Sequence, residues 1–456
     1  MTRKSVVFIH PDLGIGGAER LVIDAAVGLQ SDGHKVTIFT SHCDKSHCFQ
    51  EAKDGTLDVR VRGNVVLPFS GAFSILFAIL RQLILTIRTC ILSNEMSSLN
   101  PDVLIVDQLS ACIPLFRWAL PKTKVIFYGH FPDLLLAKKG QGLVKYAKQL
   151  YRLPFDALEE WSSSTADVIV VNSKFTRSVF KSTFKRMRQM NLKVIYPGVD
   201  TDYAKDSAGP IWPNKKTLLS INRFEGKKNL GLAIKAFAGL DADRSRAQLV
   251  LAGGFDPRNA ENHTTHKALQ SLADSLKLQH ETVSGEEAAA LAQRDVDVLF
   301  LLSVPDELKR RLLGEASLLI YTPENEHFGI VPLEAMLAEV PVLATNTGGP
   351  LETIYDGRNG WLRSPNRIDQ WTEVMRKPLI PSSAATLQQM GIRGRERVVD
   401  EFSRTKMVAR FDEVIQALCA SNSPRPIIVP AWMAYVTLAV LFAVTAAAIW
   451  NMVLHT

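Results

Sequence analysis

Short β-rich apolar runs recur along the chain with room for one helix between each pair, and this alternation constrains the fold more than any other feature. Ser5 to Ile9, Val36 to Thr40, Val103 to Val106, Val125 to Tyr128 and Val168 to Val171 form a first series. A second follows in Leu218 to Ile221, Gln248 to Ala252, Leu318 to Tyr321 and Val342 to Ala344. Runs of this kind separated by helical stretches are the pattern of parallel strands linked by crossover helices. The expected fold class is α/β, with one Rossmann-like domain over 1–200 and a second over 201–385. A helical segment over 386–422 is expected to pack back across the domains. Tyr196-Pro197-Gly198-Val199-Asp200 and the Gly- and Pro-bearing stretch to Pro213 read as the linker. Ligands of such sheets bind beyond the carboxyl ends of the strands, so two facing domains create an interdomain cleft.

Hydropathy points to a membrane. Ile427 to Leu454 holds 28 residues without a charge, more than the roughly 20 that cross a bilayer as a helix. Trp432, Tyr435 and Trp450 lie towards its ends, where aromatic rings prefer the headgroup zone. Over 427–454 a transmembrane helix is therefore expected, and Arg425 on its N-terminal side places the large body in the cytosol. A second apolar stretch, Val65 to Leu92, carries Arg81 and Arg88 seven residues apart on one helix face. A cation at the bilayer centre costs about 2.5–3.5 kcal/mol, so this segment suits the membrane interface better than a span. Leu134 to Arg152 is a basic amphipathic stretch suited to anionic lipid.

Charge and cysteine usage narrow the function classes. Residues 1–200 carry 25 Lys and Arg against 17 Asp and Glu, and the remainder 28 against 29, which favours an anionic partner on the N-terminal half. No zinc-finger spacing or interleaving of aromatic with basic residues supports nucleic acid. The five cysteines are scattered, without a C-x-x-C pair. A reducing compartment fits them, and no metal site is expected, although His42 and His47 lie near Cys43 and Cys48. Asn262-His263-Thr264 is a complete glycosylation sequon, and a cytosolic domain should leave it unmodified.

The loops after the strands carry the chemistry. Gly14-Ile15-Gly16-Gly17-Ala18-Glu19-Arg20 leads into an amphipathic helix over Leu21 to Gln30, and such a turn lets backbone N–H groups approach a phosphate. A dinucleotide-binding oxidoreductase is the rival, but Glu19 stands where that fingerprint needs a glycine for close helix packing. Asn222-Arg223-Phe224-Glu225-Gly226-Lys227-Lys228 sets Arg223 and Lys228 at a strand end. Two cations there can clamp a diphosphate, stabilising charge that builds as a glycosidic bond breaks. Glu326 and Glu334 are separated by seven residues, with a Phe-Gly-Ile-Val turn between them opening a helix that runs to about Ala338. Glu326 suits sugar hydroxyls, Glu334 suits both ribose hydroxyls, and the N–H groups of Gly329, Ile330 and Val331 suit phosphate. A paired-carboxylate hydrolase is the alternative chemistry, but carboxylates beside cationic clamps suit a nucleotide sugar better.

The glycine loop, R-x4-K and E-x7-E, in this order and spacing, resemble the retaining GT-B glycosyltransferases of glycosyltransferase family 4 over roughly residues 5 to 420. The segments HPDLGIGGAER, DQLSACIP, FYGHFPDLLL, LSINRFEGKKNL and EHFGIVPLEAM are similar to those of its members that add mannose to dolichol-linked oligosaccharides. The resemblance implies GDP-mannose as donor and a dolichyl-diphosphate-linked Man1GlcNAc2 acceptor. It also implies α-1,3 then α-1,6 transfer with retention, at the cytosolic face of the endoplasmic reticulum membrane. Gly16 and Gly17 would line the donor phosphate or reacting sugar, and His130 would sit at the reacting centre. Arg223 and Lys228 would hold the diphosphate, while Glu326 and Glu334 would bind mannose and ribose. Attack on the same face, assisted by the leaving phosphate, would need neither metal ion nor cofactor. Membrane lipids and other mannosyltransferases of the same pathway are the implied partners. The alternatives are a related lipid-linked glycosyltransferase with another nucleotide sugar and a non-catalytic membrane scaffold with the same fold.

Overall fold

The computed structural model describes residues 2–63, 74–132, 135, 143–202, 211–284 and 294–421. The chain divides into two compact units. The N-terminal unit takes the chain to Val171, then Val179–Lys193 and the chain from Asp412, and the C-terminal unit takes Asn172–Ser178 and Val194–Phe411.

The N-terminal unit is built on β1 (Ser5–Asp12), β2 (Lys35–His42), β3 (Asp58–Val61), β4 (Val103–Asp107), β5 (Lys124–Gly129), β6 (Val168–Val171) and β7 (Lys193–Val194), in the order β3-β2-β1-β4-β5-β6-β7. Strands β1 to β6 pair in parallel, with Val6 opposite both Val36 and Val103. Each of the five runs expected in this half is a strand. β3 and β7 lie at the sheet's edges, where pairing with a neighbour rather than an apolar pattern of their own makes them strands.

The C-terminal unit holds β8 (Lys216–Ile221), β9 (Ala247–Gly253), β10 (His280–Ser284), β11 (Val298–Leu302), β12 (Leu318–Tyr321), β13 (Val342–Thr345) and β14 (Gly360–Arg363), ordered β10-β11-β9-β8-β12-β13-β14 and parallel throughout. β10, β11 and β14 add to the four runs of the second series. β10 and β14 are edge strands, whereas β11 is a buried apolar run of the same kind as its neighbours. Two hydrophobic clusters, one containing Leu219, Val250 and Leu319 and the other Leu218, Leu249 and Ile320, draw alternate residues of the same central strands, so both faces of this sheet are covered.

The strand order reverses beside β1 and β4 in the first sheet and beside β8 and β12 in the centre of the second. Loops leaving the carboxyl ends of those neighbours turn to opposite faces and open a crevice between them. The glycine-rich loop follows β1 and Asp107 ends β4. The loops of Arg223 and Lys228 and of Glu326 follow β8 and β12.

The apolar stretch near 65–92 is described from residue 74. A helix over Ser74–Ile87 continues as a π-helical turn over Arg88–Leu92, and Ile75–Leu92 has a mean hydropathy of 1.9. Its buried face is mixed, with Ile79 and Leu85 beside Gln82, Thr86 and Thr89, while Ile87, Ile91 and Leu92 are exposed. Gln82 Nε2 donates to the Leu109 carbonyl at 2.9 Å, and the Thr86 and Thr89 hydroxyls donate to carbonyls one turn back, so these buried donors are satisfied. Arg81 reaches Asp12 at 3.4 Å, and Arg88 donates to the Arg62 carbonyl. The span over 427–454 lies outside the described residues, as do Leu134 and 136–142 of the basic stretch.

The sequon asparagine is part of the fold. Asn262 is buried, its Nδ2 donates to the Phe224 carbonyl at 3.0 Å and its Oδ1 accepts from the Asp256 N–H at 2.9 Å. A glycan on Nδ2 would have to break that bond.

At the start of the C-terminal unit, Glu352 ties three strands of chain together. Its carboxylate accepts from the N–H groups of Lys174 and Phe175, at 2.8 and 2.7 Å, and from the Tyr196 hydroxyl at 2.9 Å. The first two open the helix Lys174–Thr183, so an anion here also meets the positive end of the helix dipole. Glu352→Ala should cost about 1–3 kcal/mol, measured as a lower urea midpoint without a change in slope.

Candidate active site

In the C-terminal unit the expected residues gather around a cavity of about 290 Å³ lined by Asn222, Arg223, Lys228, Lys309, Tyr321 and Val331, among others. A backbone contact shapes one wall. A Cβ on Gly253 would stand 2.1 Å from the Asn222 carbonyl oxygen, so only glycine lets the end of β9 close on the loop after β8. That loop carries Arg223, whose side chain is 63% exposed and 3.0 Å from Glu225. Lys228 ends a 3-10 turn over Gly226–Lys228, which Asn229 closes in the left-handed conformation at φ 48°. The Lys228 carbonyl accepts the Thr322 hydroxyl at 2.6 Å, joining the loop after β8 to the one after β12.

Lys228 Nζ lies 2.5 Å from Glu326 Oε2, with only 12% and 21% of the two side chains exposed. Burial pushes the Glu326 carboxyl up, but the adjacent ammonium and a hydrogen bond from the buried Tyr321 hydroxyl hold it below the ordinary glutamate value. Tyr321 is raised well above 10.0 by burial and by that carboxylate. Glu326 is therefore an anion and Tyr321 a hydrogen-bond donor at neutral pH.

Glu334 lies within the helix Ile330–Leu337 and pairs with a cation that sequence reasoning missed, Lys309, whose Nζ stands 2.6 Å from Glu334 Oε1. Glu334 Oε2 is buried without a hydrogen-bond partner, leaving an acceptor that two vicinal hydroxyls can use. Lys309 belongs to the helix Asp306–Glu315. It is 25 residues before Glu334 and in no motif, so no local spacing signals it. Gly329 precedes the helix at φ 91°, a conformation that favours glycine, and Val331 in its first turn lines the cavity.

The N-terminal unit holds the remaining expected residues. Gly16 caps the helix Gly17–Ser31 with no side-chain cap bond. His130 follows β5, is 21% exposed, and its Nε2 lies 2.8 Å from Asp107 Oδ1. The other Asp107 oxygen stands 2.8 Å from Nδ1 of His10 on β1. Burial pushes the Asp107 carboxyl up, but the two imidazoles outweigh it and hold it at about 2. Burial pushes His10 down, yet Asp107 and then Glu19 raise it to about 9. Asp107 and His10 were not expected here, although both occupy carboxyl-end positions where polar side chains in apolar strands are a signal. Among the described residues no cluster of three or more His, Cys, Asp or Glu side chains is gathered to hold a metal ion.

The arrangement can bind an anion and a polyhydroxylated ring in one cavity. Arg223, Lys228 and Lys309 line it as cations, and Glu326 and Glu334, paired with the two lysines, are acceptors for hydroxyls.

Comparison with known proteins agrees with the geometry. Residues 15–203 match the model "Glycosyltransferase Family 4" and residues 204–397 the model "Glycosyl transferases group 1". The alpha-1,3/1,6-mannosyltransferase alg-2 of Neurospora crassa is 51% identical over 431 residues, 91% of each chain. The Schizosaccharomyces pombe protein of that name is 47% identical over 93% of this chain and 83% of its own. Among solved structures, sucrose-phosphate synthase from Thermosynechococcus elongatus aligns with a TM-score of 0.69 over 92% of this chain and 100% of its own, at 16% identity. That likeness carries the fold alone, and both parallel-sheet units are those of GT-B proteins. With two family models spanning most of its length and relatives this close, the chain belongs to the alpha-1,3/1,6-mannosyltransferase ALG2 family of GT-B glycosyltransferases.

Proposed function

We propose that this protein transfers mannose from GDP-mannose to dolichyl-diphosphate-linked Man1GlcNAc2, forming an α-1,3 and then an α-1,6 linkage with retention, in the assembly of N-glycan precursors. The observation that carries this reading is the 290 Å³ cavity lined by Arg223, Lys228 and Lys309, whose two lysines are each paired with a carboxylate, Glu326 and Glu334. A sugar nucleotide brings the complementary set of groups. Its diphosphate meets Arg223 and Lys228, its ribose hydroxyls meet Glu334, and its mannose hydroxyls meet Glu326.

Lys228 is paired with Glu326 at 2.5 Å. A diphosphate entering the cavity shares that ammonium. As the bond from mannose to phosphate breaks, a further negative charge develops on the leaving diphosphate. Lys228 and Arg223 stabilise it more than they stabilise the intact donor, which is the condition for accelerating the reaction. Attack from the same face, with the departing phosphate taking the acceptor's proton, retains configuration without a covalent enzyme intermediate and asks nothing of a metal ion. His130 then acts at the reacting centre as an orienting and electrostatic group. The backbone N–H groups of Gly329, Ile330 and Val331 supply further phosphate contacts. A scaffold that kept the fold without catalysis would have no use for two partly buried carboxylate–lysine pairs beside a cavity.

The apolar helix Ser74–Ile87 and the turn that continues it support a membrane-bound setting, the cytosolic face of the endoplasmic reticulum in this reading. Ile87, Ile91 and Leu92 are exposed at its C-terminal end, and an exposed apolar edge suits a lipid interface. There the enzyme would meet its lipid-linked acceptor and the pathway's other mannosyltransferases.

Isothermal titration should detect GDP-mannose binding and no comparable binding of UDP-GlcNAc, and binding of the uridine donor alone would overturn the donor assignment. Lys228→Ala should lower kcat for labelled mannose transfer by about a hundredfold or more, and a rate equal to wild type would remove the clamp from the mechanism. Lys309→Met should raise the donor KM by about tenfold while changing kcat less, because it frees Glu334 without touching the diphosphate. Steady-state kinetics over donor concentration separate the two effects.

A further inference from the structure

Glu19 sits in the glycine-rich loop but has no part in the transfer chemistry described above. Its carboxylate folds back over the turn: a Cβ on Gly16 would stand 2.3 Å from Glu19 Oε2. Gly16 has an extended backbone at φ −169°, which any residue adopts. A side chain at position 16 would displace the Glu19 carboxylate from the place it takes. From that position Glu19 Oε1 lies 3.9 Å from Nε2 of the fully buried His10. No hydrogen-bond partner meets Nε2, while Nδ1 of the same ring is bound to Asp107.

Four side chains from four elements thus form one line. Glu19 comes from the helix Gly17–Ser31, His10 from β1, Asp107 from β4 and His130 from the loop after β5. The order of charge along it is anion, imidazole, anion, imidazole. His10 faces one carboxylate through each ring nitrogen, which favours its doubly protonated form. Asp107 is spent on both sides, donating nothing and accepting from both rings. Other ionisable groups here are Tyr128 on β5, whose ring packs against His130 at 5.1 Å, and Asp12 on the strand of His10, which is turned to Arg81 at 3.4 Å.

We propose that Glu19, His10 and Asp107 are positioning residues of the transfer reaction, a fixed chain that runs from the glycine-rich loop and holds the His130 ring through its Nε2. This rests on His130 standing at the reacting centre. Asp107 fixes the orientation and tautomer of His130, as a carboxylate does for an imidazole it accepts from. His10 keeps Asp107 ionised and in place within an apolar sheet. Glu19 adds to Asp107 in keeping His10 charged and closes the chain on its far side, so removing its charge loosens a ring that it never touches.

The sign of the pH dependence follows. His10 is raised from 6.5 to about 9, so the charged chain is complete at neutral pH and is lost as pH rises through about 9. Without the Glu19 anion that loss comes at lower pH.

The test uses the full-length protein and two readouts. In labelled-mannose transfer, Glu19→Gln should lower kcat by about tenfold with the donor KM within about twofold, and move the alkaline limb of the pH–rate profile down by about one unit. Glu19→Asp, which keeps the charge, should recover part of both. In long-range proton–nitrogen spectra of the ¹⁵N-histidine-labelled protein, one buried ring should stay doubly protonated at pH 8 in the wild type and lose its proton at lower pH in Glu19→Gln. Superimposable pH–rate profiles for wild type and Glu19→Gln would overturn the proposal. So would a wild-type spectrum in which every ring is neutral at pH 8, a result that needs no variant to fold. A wild type that transfers no mannose from GDP-mannose would instead remove the donor assignment, and the ring titration would still decide the chain.

Discussion

A parallel sheet covered on both faces has nowhere to keep polar chemistry except its ends, and the site in each unit of this protein follows from that constraint. Side chains within β8, β9 and β12 are committed to two apolar clusters, so a charged group there would be buried without water. At the carboxyl ends beside the strand-order reversal, loops part and backbone N–H groups are free to meet an anion. Arg223, Lys228 and Glu326 emerge at that reversal in one sheet. His10, Asp107 and the glycine-rich loop emerge at the matching reversal in the other.

Charge in both places is arranged in pairs rather than as isolated groups. Lys228 with Glu326 and Lys309 with Glu334 place two ammonium–carboxylate pairs at a cavity, each at about a quarter exposure or less for the lysine. Pairing makes such partly buried ions tolerable before a ligand arrives. It also holds their donors and acceptors in fixed directions. In the N-terminal unit the same principle goes further, because Asp107 is fully buried and remains ionised through two imidazoles. The polar face of the helix Ser74–Ile87 obeys the same rule. Gln82 and Thr89 are buried beside Ile79 and Leu85 with their donors satisfied by carbonyls, while Ile91 and Leu92 are left exposed.

Most of the architecture was legible in the chain itself. Apolar runs such as Val103 to Val106 and Leu318 to Tyr321 became central strands because burial on both faces demands continuous apolar sequence. Edge strands such as Asp58–Val61 and His280–Ser284 were not legible, since a neighbour's backbone rather than their own side chains holds them. Of the site, Arg223, Lys228, Glu326 and Glu334 were readable because each lies in a loop next to a recognisable strand or helix start. Lys309 was not, and neither were the roles of His10 and Glu19. Glu19 was noticed only as an obstacle to a dinucleotide fingerprint, and its carboxylate turns out to occupy the space that Gly16 leaves.

The sequence by itself determined two parallel α/β units, the order of their strands along the chain and the loops that carry charge, because period and composition are local properties. Tertiary structure alone decided which charges meet. Lys228 and Glu326 are 98 residues apart and His10 and Asp107 are 97 apart, so their pairing depends on which strands become neighbours when the sheet closes. No local pattern in the chain encodes that adjacency.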